Sequence, residues 1–161
     1  MPMQKITPFL WYANEAEEAA RYYTSIFPDS RITRTWSLPS ESPSGPAESV
    51  KVVEFELFGQ SFVAMSAGRQ DAFNHAVSFV VDCDGQAEVD RYWNALLQGG
   101  QAEACGWLKD RYGVSWQIVP RALLTMMADP DRAKAKRASD AMLGMVKLDL
   151  PTLRAAFDGR G

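Results

Sequence analysis

Apolar positions along the chain recur with two alternating periods, and the switches between them mark out the elements. Ile6 to Tyr12 is a short apolar and aromatic run that reads as a strand. It stops at Asn14-Glu15-Ala16-Glu17, where Asn14 can cap a helix and Glu17, three residues on, can complete a capping-box-like pair. Ala16, Ala19, Ala20, Tyr23, Ile26 and Phe27 keep helical spacing, which buries one face and leaves Glu15, Glu18 and Arg21 to water. Pro28-Asp29-Ser30 ends the helix. Ile32 to Leu38, β-branched and aromatic, predicts a second strand. The Pro, Ser and Gly of Pro39 to Pro46 predict a mobile loop, and the span 37–48 is a candidate lid. Val53, Phe55 and Leu57 alternate with Glu54 and Glu56, the period of a half-buried strand, and Phe58-Gly59-Gln60-Ser61 turns the chain back into Phe62 to Ser66.

A second cycle follows. Ala76 to Val81 predicts an apolar strand, and Asp82 to Gly85 leads into a helix carrying Val89, Tyr92, Trp93, Leu96 and Leu97, stopped by Gly99-Gly100. Gln101 to Asp110 and Ser115 to Val119 supply the remaining strands, joined by a turn at Tyr112-Gly113. From Arg121 the chain reads as helical, with Pro130 in a first helical turn after Asp129. The order is therefore βαβββ twice, then helices. Glu18 to Phe27 lines up with Glu88 to Leu97 at an offset of 91 − 21 = 70, and Phe58-Gly59-Gln60-Ser61-Phe62 resembles Tyr112-Gly113-Val114-Ser115-Trp116, so the chain reads as a duplication. We expect one domain over 1–161, with module one at about 5–68, module two at about 75–120 and a helical tail at about 121–158.

Composition adds boundaries to this picture. A chain of 161 residues, 47% hydrophobic and 23% charged, can enclose a sizeable core. A net charge of −3 supplies no overall positive field for nucleic acid or anionic lipid. The N-terminus lacks a signal-peptide layout and no apolar run approaches the roughly 18 residues of a membrane span, so a cytoplasmic protein is expected. Cys83 and Cys105 have neither CxxC spacing nor the density of a disulfide scaffold, and read as two ordinary thiols.

Ile6-Thr7-Pro8-Phe9-Leu10-Trp11, the helix from Asn14 to Pro28 and, most specifically, Gly106 to Pro120 resemble the PhnB-like branch of the glyoxalase, bleomycin-resistance and dioxygenase (vicinal oxygen chelate) superfamily. The likeness covers roughly Ile6 to Val146. It implies an α+β fold, two βαβββ modules forming an open barrel of glyoxalase/bleomycin-resistance type plus C-terminal helices, in a bacterial-type homodimer. Members of the branch often carry the label 3-demethylubiquinone-9 3-methyltransferase. Methyl transfer itself is not expected, because no internal GxGxG turn is present and the order of elements does not suit a doubly wound sheet.

The superfamily's usual chemistry needs a divalent metal held by His, Gln or Glu from four strands. The resemblance places Gln117 at the final ligand position, but the equivalent positions fall at Val63 and near Ile6 and Ala76, none of which can ligate. His75 is the only histidine; it lies one residue from a ligand position, an offset that would turn it to the opposite face of a strand. We therefore expect no intact metal site and no cofactor. Trp11, Met65, His75, Trp107, Tyr112, Trp116 and Gln117 are the pocket candidates; core packing is the alternative for Met65 and the aromatic residues, a surface or hydrogen-bonded position for His75, and backbone hydrogen bonding for the Gln117 amide. Lys109, Asp110 and Arg111, placed at a turn, read as a solvated charge cluster. In the tail, Ala138, Ala141, Met142, Met145 and Val146 form an apolar stripe that either packs on its own sheet or contributes to a dimer contact.

Two functions follow. The first is a metal-independent module that holds a small hydrophobic or aromatic molecule. The second is a metal-dependent lyase, isomerase or dioxygenase whose site is assembled across a dimer.

Overall fold

Alternation of side chains across strands, together with two amphipathic helices, builds each half of the chain in the same way. The structure, a computed structural model, describes residues 4–68 and 71–160. The chain forms two compact units, Met1–Ala72 and Phe73–Gly161. In the first, β1 (Phe9–Tyr12) is followed by α1 (Ala16–Ile26), β2 (Arg31–Ser37), β3 (Lys51–Leu57) and β4 (Gln60–Ser66). In the second, β5 (Ser78–Cys83) is followed by α2 (Gln86–Leu97), β6 (Gln101–Ala102), β7 (Trp107–Lys109) and β8 (Ser115–Pro120), then the helices α3 (Arg121–Met127), α4 (Arg132–Leu143) and α5 (Leu150–Phe157). Both four-stranded sheets have one topology, β1-β4-β3-β2 and β5-β8-β7-β6, in which the outer strand β1 or β5 runs parallel to its neighbour and the others pair antiparallel. The helices start 70 residues apart, at Ala16 and Gln86, so the inferred duplication holds element by element.

One face of each sheet carries the core. In the first unit Leu10, Tyr12, Phe55 and Ala64 meet Ala16, Ala19, Ala20 and Tyr23 of α1, and the Tyr12 and Tyr23 hydroxyls bond each other at 3.0 Å. In the second, Val81, Cys83, Leu108, Trp116 and Ile118 share a core with Val89, Tyr92, Trp93 and Leu96 of α2. A further apolar cluster of Val119, Leu123, Met126, Ala138, Leu148, Leu150 and Leu153 ties the C-terminal helices to the end of β8, and Ala141, Met142 and Met145 pack against it. The tail stripe is thus covered largely by its own unit, while Val146 remains 52% exposed.

Several boundaries differ from the sequence reading. β1 begins at Phe9 rather than Ile6, which is left 87% exposed, and β5 runs from Ser78 to Cys83. Asn14 is not the cap of α1: the N-cap position is Glu15, Glu17 bonds Arg21 at 2.8 Å instead of reaching back, and the Ala16 amide donates to Ser66 Oγ of β4 at 2.9 Å. The stretch from Gln101 to Asp110 is two strands because Cys105 and Gly106 take φ of 60° and 81°. Gly106 is required there on two counts: a Cβ would also lie 2.9 Å from the Leu148 side chain. Pro130 precedes the α4 cap instead of lying inside a first turn, since Asp131 accepts from the amides of Ala133 and Lys134. The 39–46 segment folds back on itself: Ser42 and Gly45 exchange backbone hydrogen bonds, and the amides of Leu38 and Glu48 donate to Val50 and Leu38 carbonyls.

Candidate functional site

The face of the first sheet turned away from α1 is open and aromatic. Strict alternation in β1 sends Phe9 and Trp11 to this face, and parallel register with β4 sets them beside Val63 and Met65. Phe9, Trp11 and Trp36 are 54%, 40% and 37% exposed, an unusual investment of large side chains for one sheet face. Phe9 and Trp36 border a cavity of about 340 Å³ lined also by Leu38, Val50, Val52, Val63 and Met65, with Arg34 and Glu54 as the polar members. Met65 therefore lines the cavity, and Trp11 sits next to it on the same face. Arg34 pairs with Glu54 across β2 and β3; its Nε donates to Glu54 Oε2 at 2.5 Å, and Trp36 Nε1 donates to the same oxygen at 2.8 Å. The Arg34 guanidinium carbon lies 5.5 Å from the centre of the Trp36 ring. These contacts, the bond from Arg34 foremost and that from Trp36 in support, hold the Glu54 carboxyl below its ordinary value and keep it ionised.

The corresponding face of the second sheet is more polar. Gln117 faces Val80 on one side and Trp107 on the other, and its Nε2 donates to Ser78 Oγ at 3.0 Å. Ser115, two residues earlier and opposite Ser78, is 1% exposed and its hydroxyl has no hydrogen-bond partner among the described residues. His75 lies ahead of β5, so strand alternation does not govern it. Its Nε2 is 2.8 Å from Glu103 Oε2, and its ring meets Trp107 edge-on at 6.1 Å. Among the candidates of this unit, Trp107 and Gln117 are neighbours on the open face, with His75 against Trp107.

Trp116 is placed otherwise. It is buried on the helix side of the sheet, its ring tilted at 51° to that of Phe79 with centroids 5.4 Å apart, and its Nε1 donates to Asp110 Oδ2 at 2.9 Å. Asp110 corrects the expectation of a solvated charge cluster at 109–111. It is 3% exposed, and its Oδ1 accepts from the amides of Tyr112 and Val114 at 2.8 and 3.1 Å. Tyr112 belongs to that turn, half-buried. A charge at a turn reads as a surface feature only until a neighbouring indole and two amides claim both its oxygens. Cys83 is likewise buried, and burial foremost, with Glu88 and Asp82 beside it, pushes its thiol up to about 12.

Arg34, Trp36 and Glu54 were not singled out by sequence. Their signal was present as alternation, since Arg34 and Trp36 share a face of β2, but which strand would lie beside it, and in what register, is a tertiary fact. The residues present do not fit a divalent metal held by one chain. Among the described residues no three His, Cys, Asp or Glu side chains cluster. The Gln117 amide is bonded to the Ser78 hydroxyl, His75 is paired with the single carboxylate of Glu103, and Glu54 is committed to Arg34 and Trp36.

Comparison with known proteins agrees with this architecture. Residues 4–119 match the family described as 3-demethylubiquinone-9 3-methyltransferase. A solved structure from Bacillus cereus, described as a putative 3-demethylubiquinone-9 3-methyltransferase and PhnB protein, is 35% identical, with a TM-score of 0.64 over 73% of this chain and 99% of that one. A Pseudomonas aeruginosa protein shares 21% identity at a TM-score of 0.55, covering 72% of this chain and 96% of its own. The fosfomycin resistance protein FosX of Mesorhizobium loti shares the fold at 15% identity and a TM-score of 0.57, covering 80% of this chain and 100% of its own. No curated protein matches. With its family match spanning most of its length and its paired βαβββ modules on the glyoxalase and bleomycin-resistance fold, the chain belongs to the 3-demethylubiquinone-9 3-methyltransferase (PhnB-like) family.

Proposed function

We propose that this protein is a binding module that holds a small hydrophobic or aromatic molecule against the open face of its first sheet, without a metal site of its own. The observation that carries the reading is the cavity of about 340 Å³, in which seven of the nine lining side chains are apolar and the two polar ones are paired with each other. Burial of an apolar body there gains the hydrophobic term, and the Glu54 carboxylate is already paired with Arg34 and Trp36. Its volume lies at the small end of ligand pockets, which favours a compact aromatic over an extended chain. The family name does not carry methyl transfer to this chain: the sheets are mixed and four-stranded, not the parallel sheet on which a glycine-rich turn presents a dinucleotide-type cofactor.

Equilibrium binding to a panel of small aromatic and aliphatic molecules tests the proposal. We expect binders among the aromatics, and loss of that binding in Val63→Trp, which fills the cavity from β4. A panel that is silent throughout, or binding indifferent to Val63→Trp, would overturn it.

A further inference from the structure

Resting on that reading, we infer that the molecule held in the first sheet's cavity is an anion, an aromatic or apolar body carrying a carboxylate-like group, and that Arg34 docks its charge. Arg34 is the one cationic side chain lining the cavity. Its Nε is tied to Glu54 Oε2 at 2.5 Å, and the guanidinium rests 5.5 Å from the Trp36 ring, so the fork is fixed from behind and from the side. The Nη groups make no hydrogen bond among the described residues, and the side chain is 66% exposed. Four of its five N–H donors thus remain for a partner. A guanidinium oriented in advance presents two parallel donors to a carboxylate or similar oxyanion, and the ordering entropy is already paid within the protein.

The charge of the ligand follows from how the pair is satisfied. Glu54 Oε2 collects two donors, from Arg34 and Trp36, and its negative charge is largely spent on them. A cationic ligand would have to displace Arg34 from a bond of 2.5 Å or face the guanidinium directly. An anion needs neither, since it approaches the Nη side while Val52, Val63 and Met65 cover its apolar body. Glu54 and Trp36 are then positioning residues that hold the fork without touching the ligand's charge.

Two fluorescent probes with a common skeleton test this: 8-anilinonaphthalene-1-sulfonate, an anion, and N-phenyl-1-naphthylamine, its neutral counterpart. Titrated into the full chain, the anion is expected to bind about ten-fold tighter than the neutral probe. In Arg34→Met that ratio should fall to about one with neutral-probe binding kept, in Arg34→Lys it should recover in part, and in Val63→Trp both probes should be lost. Circular dichroism checks that each variant is folded; Arg34 is exposed, and its replacement leaves the core intact. Equal binding of the two probes to the unaltered protein, or a ratio unmoved by Arg34→Met, would overturn the anion assignment and leave the cavity standing. Failure of both probes, or binding of both that survives Val63→Trp, would overturn the cavity reading and the anion assignment with it.

Discussion

Asp110 ties the turn between β7 and β8 to the indole of Trp116. Its two carboxylate oxygens take the amides of Tyr112 and Val114 and the indole N–H of Trp116, the last two in a buried setting and the first partly buried. Asp110→Ala strands those donors away from water, and each buried unpaired donor costs about 1–3 kcal/mol. We expect a fall in melting temperature of more than about 10 °C, read by differential scanning calorimetry. Gly113, in the same turn, has φ of 91° and only the Phe73 side chain, at 3.9 Å, near where a Cβ would project. Its constraint is the backbone conformation rather than space. Gly113→Val should cost about 1–2 kcal/mol in urea unfolding, and an unchanged midpoint would show that the turn relaxes freely. The positive φ at Gly113 was legible from the Tyr112-Gly113 pattern, whereas the burial of Asp110 was not, because it depends on Trp116 returning over the turn.

At the level of elements, α1 shows how a local signal is displaced by a tertiary one. Asn14 and Glu17 look like a capping box, yet the first turn is capped by Ser66, fifty positions along the chain, while Glu17 pairs with Arg21. Ser66→Ala should therefore destabilise the first unit by about 0.5–2 kcal/mol, as loss of an N-cap does, and Asn14→Ala should cost less; chemical denaturation of both variants checks the order. The helices themselves were legible because their apolar faces repeat with helical spacing. The split between β6 and β7 was hidden by Gly106, whose left-handed φ looks in sequence like any glycine within an apolar run.

For the whole molecule, the repeated sheet topology accounts for the chain better than either module alone does, since each sheet covers one face with its own helix and leaves aromatic or apolar residues on the other: Phe9, Trp11 and Trp36 in one unit, Val80 and Trp107 in the second. Exposed apolar residues outside the cavity, among them Val80, Leu143 and Val146, favour association of copies, and we expect a homodimer. Native mass spectrometry of protein purified without chelator tests this together with the metal reading. The expected result is a metal-free dimer; a divalent ion near one per chain would move a metal-dependent enzyme to the front and return Gln117 and His75 as ligands. Among the described residues no helix is long and apolar enough to cross a membrane.

The sequence by itself determined the element order, the duplication at an offset of 70, the α+β architecture and the family, because these rest on periodicity and short motifs that survive without knowledge of partners. Met65 and Gln117 lie on strands the sequence placed, β4 and β8. Tertiary structure alone decided which strands lie side by side and in what register, and hence that Arg34, Trp36 and Glu54 form one cluster, that Trp116 faces the core, and that Asp110 is a buried hub. The physical reason is one of range: hydrophobic spacing is a property of neighbours along the chain, but the satisfaction of a charge or an amide depends on groups that only folding brings within hydrogen-bond distance.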